Sequence, residues 1–226
     1  MLRGAAEPAL VFREQSRGET RADAIIHLLA LAAATCGGAV LLALAFVRGG
    51  AGMLLSVGPY AACLLGMLGF SFAYNTAARN GHAPILRRCD QAVIFLMIAG
   101  TYTPVTLLGL DGAWQTGLIA FIWTAAGLGF LLKLAMPRLI EGVSLGLYLL
   151  LGWAGVAAIG PLVQAVQPAI LIMLAAGGVL YSLGTIFHVW RKLPYQNPIW
   201  HGFVVAAASV HYVAVLMLMM DKTSAL

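Results

Sequence analysis

Six times over, this chain runs for twenty residues or more without an aspartate, glutamate, lysine or arginine. The runs lie between Asp23 and Arg48 (24 residues), Arg48 and Arg79 (30), Asp90 and Asp111 (20), Asp111 and Lys133 (21), Glu141 and Arg191 (49), and Lys192 and Asp221 (28). A helix crosses the hydrocarbon layer of a bilayer in about 20 apolar residues. The run of 49 is long enough for two crossings, and Gly160, Pro161, Gln164, Gln167 and Pro168 supply its break. The spacing therefore predicts an all-α bundle of seven transmembrane helices near 24–47, 53–77, 90–110, 113–134, 139–160, 168–190 and 198–220. One transmembrane domain would cover 24–220, with a tail at 1–23 and a short tail at 221–226. Asp111 and Gly112 leave room only for a tight hairpin between spans three and four. A soluble domain carries about 25% charged residues; this chain has 9%, with 62% hydrophobic. A water-soluble enzyme and a disordered chain are both excluded. No repeated ten-residue alternation points to a β-barrel.

Lysine and arginine orient the bundle. Arg3, Arg13, Arg17 and Arg21 precede span one. Arg79, Arg87 and Arg88 lie in the second loop, Lys133 (expected to snorkel) and Arg138 in the fourth, and Arg191 and Lys192 in the sixth. Only Arg48 and Lys222 fall on the opposite side, an 11:2 split. The N-terminus is expected in the cytoplasm and the C-terminus outside, the reverse of G-protein-coupled receptors. The net charge of +5 is thus a topology signal, and nucleic acid is not an expected partner. The first apolar run follows a mixed-charge tail, unlike a signal peptide. A multi-pass protein of the cell's inner (plasma) membrane is expected. Cys36, Cys63 and Cys89 have no paired spacing and read as buried small hydrophobes. Gly142 and Gly146 have GxxxG spacing, which serves ordinary helix packing or, alternatively, a homo-oligomer seam.

Polar side chains inside spans are costly, so their placement is informative. With the predicted orientation, His27, Ser71, Asn75, Asp90, His188, Asn197 and His201 all fall near the cytoplasmic end. Ser71/Asn75 and Asn197/His201 are i, i+4 pairs, each on one helix face. His211, ten residues past His201, lies about 15 Å deeper. Plainer roles are open to each: water-satisfied interfacial histidines at His27 and His188, an ion pair from Asp90 to Arg87 or Arg88, helix-end asparagines at Asn75 and Asn197, and a neutral hydrogen-bonded His211. His82, in a loop with Asn80, Gly81 and Pro84, reads as solvated.

The stretch Arg87-Arg88-Cys89-Asp90-Gln91-Ala92-Val93-Ile94-Phe95, running into Ile98-Ala99-Gly100-Thr101-Tyr102-Thr103-Pro104, resembles the third span of the hemolysin III family. That family belongs with the progestin and adipoQ (adiponectin) receptors. Trp190-Arg191-Lys192-Leu193-Pro194-Tyr195, Ile199-Trp200-His201 and Val210-His211-Tyr212 resemble its sixth loop and seventh span, and Glu19 with His27 its N-terminal Glu…His feature. The resemblance implies a zinc site built from one histidine on span two and two at i, i+4 on span seven. Ser and Asp would stand nearby, and a metal-bound water would be the nucleophile. Here Asn75 and Asn197 occupy two of those ligand positions, and only His201 remains; Ser71 and Asp90 match. An amide is a far poorer zinc ligand than imidazole. The site is then dismantled, or rebuilt from His27, His188 and His201 beside Asp90.

Two functional readings follow. The favoured one is a non-catalytic protein of membrane-lipid homeostasis or sensing, with a degenerate metal site and membrane lipid as its partner. The alternative is a zinc-dependent intramembrane hydrolase of a lipid amide or ester, with Asp90 as base and Ser71 polarising the carbonyl or holding water. The pore-forming activity in the family's name carries little weight as a native role.

Overall fold

The computed structural model describes residues 16–77 and 83–224. His82 and the greater part of the N-terminal tail lie outside the described residues. All regular structure among the described residues is helical. In order, the elements are α1 (Arg17–Ala77), α2 (Ala83–Gly109), α3 (Gly112–Ala135), α4 (Pro137–Ile140), α5 (Ser144–Gly152), a 3-10 turn (Ala154–Ala158), α6 (Ile159–Ala165), α7 (Pro168–Val189) and α8 (Gln196–Ser224).

Six segments among the described residues are long and apolar enough to cross a membrane: Arg17–Thr76, Pro84–Gly109, Gly112–Ala135, Ser144–Ala165, Pro168–Val189 and Gln196–Thr223. The first is 60 residues long. Straight, it would extend about 90 Å, three times the hydrocarbon thickness. Gly50 breaks it, with φ 59° and ψ −149°, a conformation essentially closed to residues with a Cβ. The break separates arms 17–49 and 51–77. Gly112, at φ 59°, makes the predicted hairpin turn after Asp111.

Helix ends carry the expected chemistry. Ser16 and Glu19 form a reciprocal capping box: Ser16 N–H donates to Glu19 Oε2 at 2.7 Å, and Glu19 N–H to Ser16 Oγ at 3.2 Å. Pro168 opens α7 at a position where a missing N–H costs nothing. The segment expected as one helix at 139–160 is broken. α5 stops at Gly152, and a 3-10 turn precedes α6. Tyr102 bridges the break: its hydroxyl donates to Gly152 O at 2.8 Å and accepts from Gly155 N–H at 2.6 Å. Backbone groups freed inside a bilayer need such partners.

The principal helix packings are α1 with α2, α2 with α3, α7 with α8, and α1 with α8. One apolar core joins α1 to α2 and α8 through Leu41, Val57, Tyr60, Val93, Val215 and Met219. The other joins α2, α3, the broken segment, α7 and the far half of α8 through Phe95, Ile122, Leu162, Ile170 and Leu218. Close crossings need glycine: a Cβ at Gly100 would meet Cys63 at 2.8 Å, and one at Gly129 would meet Phe95 at 2.6 Å. Gly142 and Gly146 meet no neighbour, so the GxxxG spacing does not serve packing within the chain. Large apolar residues cover the outer surface, among them Leu29, Phe46, Phe121, Leu131 and Ile172. Such an exterior suits acyl chains and not water.

Lys133 differs from expectation. It does not snorkel outward but is 1% exposed, with Nζ 3.4 Å from Glu141 Oε2 and 3.3 Å from Ser144 Oγ. Arg87 pairs with the same Glu141 at 2.6 Å, leaving Asp90 to other partners.

Candidate functional site

The start of α1, the end of its second arm, the start of α2 and the start of α8 meet at one end of the bundle. Here Asp23, His27, Ser71 and His201 are buried in contact. Asp23 and His27 are i, i+4 on one face of α1. His27 Nδ1 lies 2.8 Å from the Asp23 carbonyl oxygen, and Nε2 lies 3.0 Å from Ser71 Oγ. A carbonyl oxygen only accepts, so Nδ1 carries the proton. In the neutral ring Nε2 is then the acceptor of the Ser71 hydroxyl. In the imidazolium, Nε2 donates to Ser71, and Ser71 can donate onward to Asp90. The Asp90 carboxyl faces Ser71 and lies near His201 and Asp23.

His201 joins from α8. Its Nδ1 lies 2.6 Å from Asp23 Oδ1, and its ring packs edge-on against His27 with centroids 4.3 Å apart. Asp23 Oδ2 is 3.8 Å from His27 Nδ1, so one carboxylate faces both imidazoles. Such a carboxylate fixes the tautomer and orientation of the histidine it holds.

Glu19 sets the register between helices. It is 2% exposed, and its Oε1 accepts from Tyr195 N–H at 2.6 Å. Tyr195 sits at φ 58°, a strained backbone for a bulky residue, immediately before α8. The clamp ties the α7–α8 connection to the first turn of α1. One turn deeper, Asp23 meets His201.

The other expected members lie around this group. Asn75 is half-buried and donates Nδ2–H to Ser71 O at 2.9 Å, along its own helix. Asn197 is half-buried on the first turn of α8. His188 stands apart: it is exposed, with its ring against Trp200 at 4.9 Å between centroids. The third member beside His27 and His201 is Asp23. His211 is deep, as expected, and its Nε2 donates to Leu174 O at 3.0 Å.

Asp23, His27 and His201 form a candidate metal-binding group, with one potential ligand atom from each lying within 4.8 Å of the others. Two imidazoles and a carboxylate are suitable donors for zinc. The contacts they make are those of a closed hydrogen-bond network. Two ligands on one tetrahedral zinc stand about 3.3 Å apart, whereas Asp23 Oδ1 and His201 Nδ1 are at 2.6 Å. His27 Nδ1 is committed to a carbonyl, and Ser71 occupies its Nε2. That contact excludes those two atoms as ligands of one ion, while His201 Nε2 and Asp23 Oδ2 remain available to face a metal with the Asp23–His201 bond intact.

Comparison with known proteins places the chain. The family described as "Haemolysin-III related" matches residues 18–212. "Hemolysin-3" of Bacillus cereus is 35% identical over 157 residues, 68% of this chain and 72% of the relative. "Hemolysin-3 homolog" of Bacillus subtilis (strain 168) is 36% identical over 132 residues, 58% and 62% of the two chains. "Monocyte to macrophage differentiation factor" of Homo sapiens is 32% identical over 128 residues, 56% of this chain and about half (52%) of the human protein. No solved structure matches.

Proposed function

The chain belongs to the haemolysin-III-related family, and from that premise we propose that it senses or maintains membrane lipid composition through a metal-free polar centre. In this reading it is a seven-span protein of the inner (plasma) membrane. The break at Gly50 supports two crossings in the first long segment, and the 11:2 split of basic residues supports a cytoplasmic N-terminus. Its partner is membrane lipid, and a second copy of the chain could pack on the open Gly142/Gly146 face.

The observation that carries the reading is the network itself. Asp23, His27, Ser71 and His201 are buried, polar, drawn from distant parts of the chain, and bonded to one another. Retaining such groups in a bilayer is expensive and marks function. Each already has a protein partner, so the group holds together without an ion. Arg17, Arg21, Arg87, Arg88, Arg191 and Lys192 sit at the same end of the helices. That basic rim suits an anionic headgroup above the cluster. A lipid phosphate reaching His27 or Asp90 would change which proton each holds. Tension in Asp23–His201 would then pass to α1 and α8.

A second reading is favoured by the candidate metal group. Asp23, His27 and His201 would hold zinc, and Ser71 and Asp90 would stand beside a lipid amide or ester carbonyl as hydrogen-bond donor and base. Metal analysis of purified protein, with and without His201→Ala, separates the two. Stoichiometric zinc lost in the variant supports the hydrolase. Zinc-free protein, with a shifted lipid composition in a deletion strain, supports the sensor. An unchanged membrane in that strain counts against it.

A further inference from the structure

The bundle holds a second buried polar group. On α8, His211 lies about 15 Å along the helix axis from His201. Its ring is sunk into α7: a Cβ at Gly177 would come within 2.2 Å of His211 Cδ2 and 2.3 Å of Nε2. The Leu174 carbonyl 3.0 Å from Nε2 can only accept, so Nε2 carries a proton. In the neutral ring Nδ1 is then a bare acceptor. It is buried, and among the described residues it has no hydrogen-bond partner.

Three hydroxyls share that state, on Tyr60, Thr106 and Tyr181, and the two tyrosines bear on this site. Tyr60 Oη and Tyr181 Oη are buried without a partner among the described residues. The Tyr181 ring lies 5.6 Å from the His211 imidazole, centroid to centroid. Tyr60, fully buried on the second arm of α1, lies within electrostatic range of Tyr181 and Tyr212. Tyr212 itself is satisfied, donating to Gly37 O at 2.9 Å. The orphans of this group, Thr106 aside, are therefore two O–H groups and one bare nitrogen, contributed by three helices.

An orphaned polar atom is most costly where bulk water cannot reach it. An apolar guest would leave all three unsatisfied. Among the described residues no carboxylate stands with them to compensate a cation. A water molecule matches the inventory, since buried waters typically make about three hydrogen bonds to such groups. We propose that Tyr60, Tyr181 and His211 form a buried water-binding site that bridges α1, α7 and α8, the water donating to His211 Nδ1 and accepting from both tyrosine hydroxyls.

The site is tested on the full chain in lipid nanodiscs. Thermal unfolding is measured for the wild type, Tyr60→Phe, Tyr181→Phe and the double variant. A shared water predicts that each single variant lowers the midpoint by about 2 °C or more. The double variant loses less than the sum, because either change already weakens the bridge. Removing an unbonded hydroxyl leaves the midpoint unchanged or raises it. That result in either single variant, or strictly additive losses, overturns the proposal. An experimental structure of the wild type at about 2 Å reads the site without substitution. It should show a water within about 3.3 Å of His211 Nδ1 and of both hydroxyls; a site without water overturns the proposal even if the variants fail to fold.

Discussion

Replacing Asp23 by alanine is the sharpest perturbation of the polar centre. The carboxylate is 2% exposed and accepts from His201 Nδ1 at 2.6 Å. A hydrogen bond involving a charged group contributes about 1.5–3 kcal/mol. Truncation also strands the His201 N–H in a buried site, so the total cost is about 3–5 kcal/mol. In a chain of this size each kcal/mol moves the melting temperature by about 2–4 °C. Asp23→Ala should therefore lower Tm by about 10 °C. Asp23→Asn keeps an oxygen for His201 but loses the charge, and its amide N–H₂ confronts the protonated Nδ1 of His27. It should fall between the two, near half the loss. Intrinsic tryptophan fluorescence during heating in nanodiscs reads all three proteins. An Asp23→Ala midpoint within about 1 °C of wild type would refute the buried pair.

Three further outcomes follow from other contacts. Glu19→Ala should free the Tyr195 N–H and open the 190–195 segment to protease, with Glu19→Gln intermediate; equal cleavage rates in all three proteins would contradict the clamp. Tyr102→Phe should cost about 2–4 kcal/mol in unfolding, because Gly152 O and Gly155 N–H both lose their partner; a neutral effect would mean the helix break is satisfied otherwise. Glu141→Ala should destabilise far more than the double change with Lys133→Met, since the single variant leaves a buried ammonium with only Ser144; the reverse order in Tm would contradict that pairing.

Much of the architecture was legible because charge-free runs mark bilayer crossings directly. The Asp111–Gly112 hairpin and the start of α7 at Pro168 fell where expected. The break in the first long segment was bracketed by Arg48 but fixed by Gly50; Gly49, Gly50 and Gly52 are alike on paper, and only the backbone shows which takes positive φ. The break after Gly152 gave no apolar signal, because its cost is met by Tyr102 from a helix 50 residues earlier in the chain.

The same counting hid the key acid. Counting charged residues as the ends of spans puts Asp23 in the tail expected at 1–23. The helix begins at Arg17, and Asp23 is inside it. Its i, i+4 spacing to His27 was the available signal. Lys133 reads as snorkelling outward from the sequence, and its buried pairing with Glu141 depends on how α3 meets the following turn. Ser71, Asp90, His27 and His201 share one expected depth, and the structure brings them together around Asp23. Depth alone could not separate His188, which shares the layer but faces outward beside Trp200.

The central claim is that Asp23, His27, Ser71 and His201 complete one another without an ion. Metal content of the full chain, purified without chelator from zinc-replete cells, tests it most directly. The account predicts far less than one zinc per chain and a Tm that chelator does not move. One zinc per chain, lost with His201→Ala and accompanied by a chelator-sensitive Tm, would contradict it.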